Sequence, residues 1–455
     1  MTGTSRSLFG TDGIRGLANQ HPMTADVAMA LGRALTIELK RFHKNPRIII
    51  GKDTRRSGYM LEYALTAGIT SMGGKAYLLG PLPTPAVAYH IRGLRAQAGV
   101  MISASHNPFE DNGLKVFQED GFKLSDEAEA RLEAIMFDPD EIESQRPSPE
   151  QLGRAERVDD AMGRYLASLK TIFRHDFDLN GLKIVFDGAN GAAYECGRRL
   201  FEELGAEVIR QACEPDGFNI NKNCAQEDPK IMGDLVRKHS ADIGIAVDGD
   251  ADRLMVVDET GELISGEHLL FELGMFLKKA NRLATNLVVT TSMSNQALEK
   301  ALKSNSIDCL QTQVGDRYVT QALKEKGAVL GGENSGHIIF LDQNTCADGL
   351  FSALEVLALL RTRSWKASRL RKSFERFPQR LVSLPVREKR PLEDVPILNQ
   401  AIRDLEIRYE GTGRVNVRYS GTQAMIRVML EGPNLAEVES DLSSLIKIVQ
   451  KELGS

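Results

Sequence analysis

Three aspartates alternate with small residues directly after an apolar run. They are Asp248, Asp250 and Asp252, in the stretch VDGDADR. Carboxylate oxygens are hard ligands, and three of them so close in sequence can converge on one divalent cation if the backbone turns. Mg²⁺ takes few carboxylates and often completes its shell with phosphate oxygens, so the pattern predicts a Mg²⁺ site.

The same acidic stretch partly matches a calcium-binding EF-hand loop. A loop of that kind starting at Asp248 would put Glu259 at its twelfth position, but it would also put Arg253 at the sixth, where the loop needs glycine. The preceding run is also typical of a strand rather than a helix, so we exclude calcium binding of this kind. A phosphatase of the haloacid-dehalogenase type, with an aspartate nucleophile after a strand, stays an alternative. A solvent-exposed acidic turn is the other.

A second stretch carries two serines, a histidine and a lysine at the end of an apolar run. It covers 99–115 and reads GVMISASHNPFEDNGLK. Because there is no G-x-S-x-G elbow, a hydrolase triad has no local support. A serine at a strand end can instead hold a phosphoryl group whose charge a metal offsets. The residues alone leave Ser103 and Ser105 both open, and a turn or helix N-cap also explains Ser105.

His106 and Lys115 are the candidate proton carriers of this stretch. A histidine at position i+1 normally points away from the preceding side chain, so its place in the sequence does not make His106 the base of Ser105. Lys115 can serve as acid or base if desolvation lowers its pKa.

The stretch GGENSGH, 331–337, brings polar side chains to a glycine-rich loop. Paired glycines let the backbone approach a ligand closely. Glu333 and Ser335 are then candidates for contacts with sugar hydroxyls, and His337 is a candidate for proton transfer or binding. A glycine-rich β-turn with a core histidine explains the same residues without a ligand.

Two further loops are candidates for a functional site. VRYSGTQAMIR, 417–427, combines guanidinium groups, hydroxyls and free backbone N–H groups, which are the donors that hold phosphate. FGTDGIRG, 9–16, is a compact loop punctuated by glycines. A hairpin turn and a flexible N-terminal turn are the respective alternatives. The candidate residues are Arg15, Arg418, Ser420, Gly421, Thr422 and Arg427.

Apolar runs of strand length alternate with amphipathic stretches of helix length along the chain. The predicted strands are 47–51, 76–80, 98–103, 183–188, 242–250, 287–291 and 337–341. The predicted helices include 24–42, 59–73, 191–205, 266–280 and 348–363. This alternation predicts α/β units with parallel or mixed sheets covered by helices. The polar segment 138–156 is predicted to be a linker, and a final helix at 434–452 closes a small α+β domain.

Length and composition limit the class of protein. The chain has 455 residues, which favours several domains, and its net charge of −5 argues against nucleic-acid or anionic-membrane partners. The spacing of the five scattered cysteines argues against a disulfide framework or a zinc site. The N-terminus has no apolar signal region and no apolar stretch approaches membrane-helix length, so we expect a cytoplasmic protein.

Taken together, the motifs resemble those of the α-D-phosphohexomutase superfamily across essentially the whole chain. TDGIRG, SASHNP, DGDADR, GGENSGH and RYSGT occur in that family's order. Within it, the chain is most similar to the bacterial enzymes that act on glucosamine phosphates. The support for this includes FGTDGIRG, SASHNPFEDNGLK, DGFNIN, VGDRYV, LGGENSGHIIF and ADGLFSALEVL.

The resemblance implies an α/β fold of four domains around a central cleft. Three related α/β domains with mixed sheets would precede a C-terminal α+β domain of TBP-like kind. The implied ranges are 1–155 with the phosphoserine loop, 156–254 with the metal loop, 255–368 with the sugar-binding loop and 369–455 with the phosphate-binding loop.

The resemblance also implies a role for each candidate residue. Ser105 would be the phosphoserine, and it would bind Mg²⁺ together with Asp248, Asp250 and Asp252. Arg15, His106 and Lys115 would surround the phosphoryl group, and His337 would join the catalytic residues. Glu333 and Ser335 would contact the sugar. The substrate's other phosphate would be held by Arg418, Ser420, Gly421, Thr422 and Arg427.

The implied activity is that of an isomerase. It would interconvert glucosamine 6-phosphate and glucosamine 1-phosphate through a sugar bisphosphate, supplying UDP-N-acetylglucosamine synthesis for cell-wall precursors. Hexosamine phosphate would be its partner, with no nucleic acid or membrane, and homodimers occur among relatives. Alternatives are a mutase for mannose or glucose phosphates and a non-catalytic sugar-phosphate-binding paralogue.

Several residues depart from the family's usual pattern. The phosphate loop has Tyr419, Gln423 and Ala424 where proline, glutamate and proline are usual. Gln313 stands where lysine is common, and Asn334 where the most similar enzymes have glutamine. The segment 225–227 reads Ala-Gln-Glu instead of Gly-Ser/Ala-Thr. None of these changes removes a phosphoryl-transfer residue, but the lost charge at Gln423 bears on affinity and sugar preference.

Overall fold

A computed structural model describes residues 8–10, 12–172, 177–419 and 424–454. The chain divides into two compact units. The first comprises residues 1–292 and 310–371, and the second comprises residues 293–309 and 372–455. Among the described residues, no helix is both long and apolar enough to cross a membrane.

Strands and helices alternate along the chain, as the apolar runs predict. The strands are β1 (Phe9–Gly10), β2 (Gly13–Leu17), β3 (Arg47–Lys52), β4 (Lys75–Pro81), β5 (Ala98–Ile102), β6 (Asp111–Gln118), β7 (Ala155–Arg157), β8 (Lys183–Asp187), β9 (Glu207–Gln211), β10 (Ile243–Val247), β11 (Leu254–Asp258), β12 (Leu263–Ile264), β13 (Leu287–Thr291), β14 (Asp308–Thr312), β15 (Leu330–Gly332), β16 (Ile338–Phe340), β17 (Gln379–Pro385), β18 (Arg414–Tyr419) and β19 (Met425–Glu431).

The helices lie between these strands and after them. They are α1 (Ala25–Lys40), α2 (Ser57–Ser71), α3 (Thr84–Gly93), α4 (Asp126–Met136), α5 (Pro139–Ser144), α6 (Ala161–Ile172), α7 (Cys196–Glu203), α8 (Pro229–His239), α9 (Gly266–Lys279), α10 (Gln296–Ser304), α11 (Asp316–Lys326), α12 (Gly349–Arg363), α13 (Pro396–Tyr409) and α14 (Leu435–Leu453). Short 3₁₀ helices occupy Pro149–Gln151, Ala367–Lys372 and Leu392–Asp394.

The first sheet is mixed and has the order β1-β2-β6-β5-β3-β4-β7. Its centre is formed by parallel strands, and their apolar side chains, such as Ile48 and Ile50, are fully buried. β6 runs antiparallel to β5 and places Lys115 opposite Met101. β2 then pairs with β6 and places Arg15 opposite Gly113. This pairing brings Arg15 and Lys115 to the end of β5 that leads into the Ser105 loop.

The second and third sheets also mix parallel and antiparallel pairs. The second has the order β12-β11-β10-β8-β9, and the three aspartates lie in the turn from β10 to the antiparallel β11. β11 and β12 extend this sheet past residue 254, where the predicted second domain ends. The third has the order β14-β13-β15-β16, and Glu333 and His337 lie in the turn between β15 and the antiparallel β16.

The second unit contains a three-stranded antiparallel sheet of order β17-β19-β18. Helices α13 and α14 pack against it through a core that includes Leu398, Val428 and Leu445. The predicted small α+β domain with neighbouring strands is therefore confirmed. Across the three α/β sheets and this domain, the four-domain α/β architecture is also confirmed.

Two predicted elements differ from the structure. The segment 138–156 is more ordered than a linker, because it contains α5, a 3₁₀ turn and the start of β7, which pairs in parallel with β4. The helix predicted for 191–205 begins only at Cys196. Ala189 and Asn190 just before it have φ values of 51° and 48°, so the chain turns there before the helix can start.

Asp348 is expected to make the stability of the fold depend on pH. This buried carboxylate caps α12 by accepting the Phe351 N–H, and it accepts a 2.8 Å hydrogen bond from the Tyr165 hydroxyl. Burial nevertheless raises its pKa to about 6. A carboxyl whose pKa is higher in the folded chain than in the unfolded chain removes stability as pH rises, here by up to about 3 kcal/mol between about pH 4 and 6.

Asp348→Asn retains the acceptor for the Phe351 N–H and removes the titration. We expect the melting temperature of the variant, relative to wild type, to increase between pH 4 and pH 7. Asp228→Asn, at the exposed N-cap of α8, is the control and should show a much flatter difference. A difference for Asp348→Asn that is flat or falls with pH would contradict this expectation.

Candidate active site

Ser105 is buried, and its hydroxyl faces the aspartate cluster. Its Oγ donates a 2.7 Å hydrogen bond to Asp248 Oδ2 and lies 3.3 Å from His106 Nδ1. Ser103 is engaged elsewhere, since its Oγ donates to Asp53 and accepts the Ser105 N–H. The residues of 99–115 alone left the two serines open, and the family resemblance favoured Ser105. In the structure, Ser105 faces the cluster and Ser103 supports the loop.

The three aspartates converge as their spacing predicts. Asp248, Asp250 and Asp252 are all buried, and one oxygen from each lies within 4.8 Å of the others. Oδ1 of Asp250 and Oδ1 of Asp252 are buried without a hydrogen-bond partner among the described residues. Buried carboxylate oxygens that lack partners, in a set of hard donors, fit a small divalent cation such as Mg²⁺.

The cluster has an uneven distribution of charge. Burial, together with the neighbouring Asp252 and Asp250, raises the pKa of Asp248 to about 7. Burial also opposes ionisation of Asp252, but His337 and Lys115 lie beside it and hold its pKa well below the usual value. A cation bound by these carboxylates would relieve the repulsion that raises the pKa of Asp248.

Lys115 is fully buried among carboxylates. Its Nζ lies 2.8 Å from Asp250, 3.3 Å from Asp12 and 3.6 Å from Asp252. Burial alone would lower the pKa of Lys115, but these carboxylates raise it well above its usual value. A lysine base would require a lowered pKa, and that expectation for Lys115 is therefore wrong. Lys115 is held in its charged form.

The two candidate histidines are in opposite charge states near neutral pH. His106 is an exposed residue, but partial desolvation of its ring, followed by Arg253 and Arg15, lowers its pKa to about 4. His337 lies 3.5 Å from Asp252 and 3.4 Å from Glu333. These contacts overcome its burial and raise its pKa to about 10. His106 is thus neutral and His337 is charged.

A cavity of about 510 Å³ opens onto these groups within the first unit. Its lining includes Ser105, His106, Arg15, Glu333 and His337. Most of the candidate residues from 9–16, 99–115 and 331–337 therefore share one cavity with Asp252 of the aspartate cluster. Ser335 is exposed in the turn between β15 and β16.

The phosphate-binding candidates of 417–427 lie in the second unit. Arg418 and Arg427 are register partners across β18 and β19, and both are exposed. Directly opposed residues of an antiparallel pair share one face, so the two guanidinium groups belong to the same side of the sheet. Ser420, Gly421, Thr422 and Gln423 lie outside the described residues.

Models of known domain families match the chain along most of its length. Models of the phosphoglucomutase/phosphomannomutase alpha/beta/alpha domains I, II and III match residues 6–143, 163–261 and 265–377, and the model of the C-terminal domain matches residues 381–442. The chain belongs to the phosphoglucomutase/phosphomannomutase family. The resemblance drawn from the motifs is confirmed.

Relatives in this family align over the whole chain. Phosphoglucosamine mutase of Citrifermentans bemidjiense is 48% identical over 449 residues, covering 99% of each chain. Phosphoglucosamine mutase of Syntrophus aciditrophicus is 46% identical over 447 residues, covering 98% of this chain and 99% of the relative.

Solved structures share the fold at lower identity. A phosphoglucomutase/phosphomannomutase family protein of Burkholderia thailandensis has a TM-score of 0.79 and 22% identity, covering 98% of this chain and 99% of that one. N-acetylphosphoglucosamine mutase of Aspergillus fumigatus, solved in complex with GlcNAc-6P and magnesium, has a TM-score of 0.66 and 18% identity, covering 99% and 96%.

Further charged residues that were not among the sequence candidates line the cavity or contact its lining. The Lys123 ammonium contacts Asp12 at 2.5 Å and Asp316 at 2.6 Å. Arg253 lines the cavity beside Ser105. Asp12 and Asp316 lie within the motifs FGTDGIRG and VGDRYV, so their place in these motifs is a sequence signal for both residues. Lys123 carries no comparable signal.

Gly249 is expected to be intolerant of any side chain. A Cβ at this position would lie 2.5 Å from the Ser105 carbonyl oxygen and 2.9 Å from Ile220 Cδ1. Gly249→Ala must therefore displace either the turn that carries the three aspartates or the Ser105 loop. We expect a loss of about 1–3 kcal/mol in stability, because the contact is with backbone that cannot move freely, together with a large fall in kcat.

The matched control is Gly163→Ala in α6, where a Cβ would meet nothing within 4 Å. This change should leave activity unaltered and raise the melting temperature slightly, since alanine favours a helix over glycine by about 1 kcal/mol. Thermal melting and steady-state kinetics on both variants check the pair. Wild-type kcat in Gly249→Ala would show that the close approach is unimportant.

Proposed function

We propose that the protein is an isomerase that interconverts glucosamine 6-phosphate and glucosamine 1-phosphate through a phosphorylated Ser105. The observation that carries the proposal is the Ser105 hydroxyl, 2.7 Å from Asp248 at the edge of a cluster of three aspartates. Relatives named phosphoglucosamine mutase, 46–48% identical over the whole chain, support this choice of sugar.

The phosphoryl group moves twice in this mechanism. First, the bond from phosphorus to Ser105 Oγ breaks and a bond to the free hydroxyl of glucosamine 6-phosphate forms, giving a bisphosphate. After the bisphosphate reorients, its other phosphoryl group returns to Ser105 and leaves glucosamine 1-phosphate. Each transfer releases a hydroxyl proton from the acceptor and returns one to the oxygen that departs.

The charged groups around Ser105 suit this chemistry. Arg15 and the protonated His337 line the cavity beside Ser105, and the protonated Lys115 lies among the neighbouring carboxylates, so positive charge would surround the oxygens of a phosphoryl group on Ser105. His106 is neutral and lies 3.3 Å from Ser105 Oγ, which makes it the predicted proton carrier able to accept a proton. Lys115 serves as a fixed cation, because its raised pKa disfavours release of its proton.

Asp248, Asp250 and Asp252, with the phosphorylated Ser105, would hold one Mg²⁺. When bound there, Mg²⁺ would neutralise charge on the phosphoryl group. Glu333 and Ser335 would contact the sugar, and the loop of Arg418, Ser420, Gly421, Thr422 and Arg427 would hold the phosphate that is not reacting. A sugar bisphosphate would serve as activator and intermediate.

The same assignment leads to proposals for the domain ranges, the cellular location, the oligomeric state and the use of the product. We propose four domains that each carry one loop of the site, in a cytoplasmic enzyme without nucleic-acid or membrane partners. Their ranges are 1–155, 156–264, 265–368 and 369–455, with the second boundary moved from 254 so that β11 and β12 stay in one domain with their sheet. A homodimer is proposed by analogy with relatives. The product would supply UDP-N-acetylglucosamine synthesis.

An isomerisation assay tests the proposal. Purified protein is incubated with Mg²⁺, glucosamine 6-phosphate and a trace of glucose 1,6-bisphosphate, and glucosamine 1-phosphate is measured by ³¹P NMR. Mannose and glucose phosphates are run in parallel. Preference for either would reassign the sugar, net release of inorganic phosphate would favour a phosphatase, and no turnover of any hexose phosphate would reject a mutase.

A further inference from the structure

Arg55 is a fully buried arginine whose side chain ends at the backbone of the Ser105 loop. Its relative exposure is 0%, and it follows β3 in the stretch DTRRSG. The guanidinium pairs with the buried Asp53, which also accepts hydrogen bonds from the Arg55 backbone N–H and from the Ser103 hydroxyl. Burying an arginine lowers the stability of the fold unless its N–H donors have hydrogen-bond partners. The remaining partners of Arg55 therefore indicate which part of the structure it stabilises.

Those remaining contacts are backbone carbonyls of the Ser105 loop. Nη2 donates to the Asn107 carbonyl at 2.5 Å and lies 3.4 Å from the carbonyls of Ser105 and Pro108. Nε donates to the Asp111 carbonyl at 2.8 Å. A planar fork with several donors can hold carbonyls in this arrangement, whereas a lysine ammonium cannot reproduce it.

The loop needs such support because Ser105 has a strained backbone. Its φ of 53° lies in the left-handed region, which costs a non-glycine residue about 1–3 kcal/mol. This conformation turns Oγ toward Asp248. Asn221 adds a second set of donors, since its Nδ2 bonds the carbonyls of Ser105 at 2.8 Å and Asn107 at 2.9 Å.

We propose that Arg55, assisted by Asn221, is a positioning residue for phosphoryl transfer. By holding the carbonyls of 105–111, the two side chains keep Ser105 in the backbone conformation that aims its Oγ at the aspartate cluster. Neither residue touches the reacting atoms. The proposal rests on the proposed role of Ser105 as phosphoryl carrier.

The test compares Arg55→Lys with Arg361→Lys. Arg361 is a matched control because its guanidinium also holds two carbonyls and one aspartate, those of Asp178 and Asn180, outside the cavity. Turnover is measured per phosphorylated active site, counted by intact mass after treatment with glucose 1,6-bisphosphate. For Arg55→Lys we expect kcat about 100-fold lower with KM changed less than about threefold, since misplacing a reacting group by about 1 Å costs that much.

A second readout follows the phosphoserine itself. Its ³¹P resonance should shift or broaden in Arg55→Lys and remain as in wild type in Arg361→Lys. An arginine that only stabilised the fold would lower the number of active sites and the melting temperature, and would leave kcat per site and the resonance unchanged. That result would overturn the proposal.

Asn221→Gly provides a variant that should fold. Glycine suits its φ of 60°, and the change removes only the amide that bonds the loop. The control is Asn281→Gly, at an exposed residue with φ of 54°. We expect kcat per site about tenfold lower in Asn221→Gly alone. If Arg55→Lys does not fold, wild-type kcat in Asn221→Gly overturns the proposal.

Different results would reject the proposed function and the positioning role of Arg55. Wild-type protein without mutase activity or phosphoserine would reject the proposed function. A fully active wild type whose Arg55→Lys and Asn221→Gly variants match their controls would reject the positioning role alone.

Discussion

Ser105→Ala is expected to abolish isomerisation, lowering kcat by at least about 10⁴-fold. The Ser105 hydroxyl is the group that faces the aspartates, and without it the phosphoryl group has no oxygen on which to rest between the two transfers. Intact-mass analysis after treatment with a sugar bisphosphate should show one added phosphoryl group on wild type and none on the variant. Turnover of glucosamine 6-phosphate is measured in the same samples.

Ser103→Ala is the matched control for this loss. Ser103 supports the loop through Asp53 and the Ser105 N–H but does not face the aspartates. The control should remain phosphorylated at Ser105 and lose at most about 100-fold in kcat, which is the cost of misplacement and not of a missing carrier. Mutase activity that survives Ser105→Ala would refute the mechanism, and phosphorylation that maps to an aspartate would favour the phosphatase alternative.

Removal of divalent metal is the second large effect that we expect. Three buried carboxylates, with two oxygens that lack partners among the described residues, suit a divalent cation, so chelation by EDTA should abolish turnover until Mg²⁺ is restored. Binding to the folded state alone stabilises it, so added Mg²⁺ should raise the melting temperature of the chelated protein. This second readout does not depend on activity.

Asp250→Asn tests whether the aspartate cluster is the metal site. The change keeps the shape of the side chain, removes one charge and weakens the pair with Lys115. We expect at least about 10³-fold lower kcat/KM, as for loss of a group that organises transition-state charge, and no rise in melting temperature with Mg²⁺. Asp234→Asn, on the exposed surface of α8, should behave as wild type. An unchanged Mg²⁺ response in Asp250→Asn would place the ion elsewhere.

Local patterns determined much of the fold. The apolar runs near β3, β5, β10 and β13 predict strands within a few residues of their observed bounds, because buried parallel strands require continuous apolar sequence. The apolar runs predict no strand at β6, which opens with the polar residues Asp111 and Asn112. Its position is set by pairing with β5 and β2, and pairing partners are not encoded in a single run.

Local patterns likewise determined the composition of the aspartate cluster. Asp248, Asp250 and Asp252 lie in one short turn, so their spacing alone predicts that their carboxylates can meet. The same holds for Glu333 and His337, which share one tight turn between β15 and β16. For such groups the backbone has little freedom to separate the side chains.

The residues of 99–115 alone left Ser103 and Ser105 both open, and the family resemblance pointed to Ser105. The tertiary structure gives the physical reason for that choice, and it alone decides the charge state of Lys115. Which serine faces the aspartate cluster depends on the left-handed φ of Ser105. Arg55 and Asn221, which lie far from Ser105 in the sequence, hold the loop in that conformation. The pKa of Lys115 depends on which wins, desolvation or the carboxylates of Asp12 and Asp250. Burial and long-range charge arise from packing between elements far apart in sequence, so no local pattern carries them.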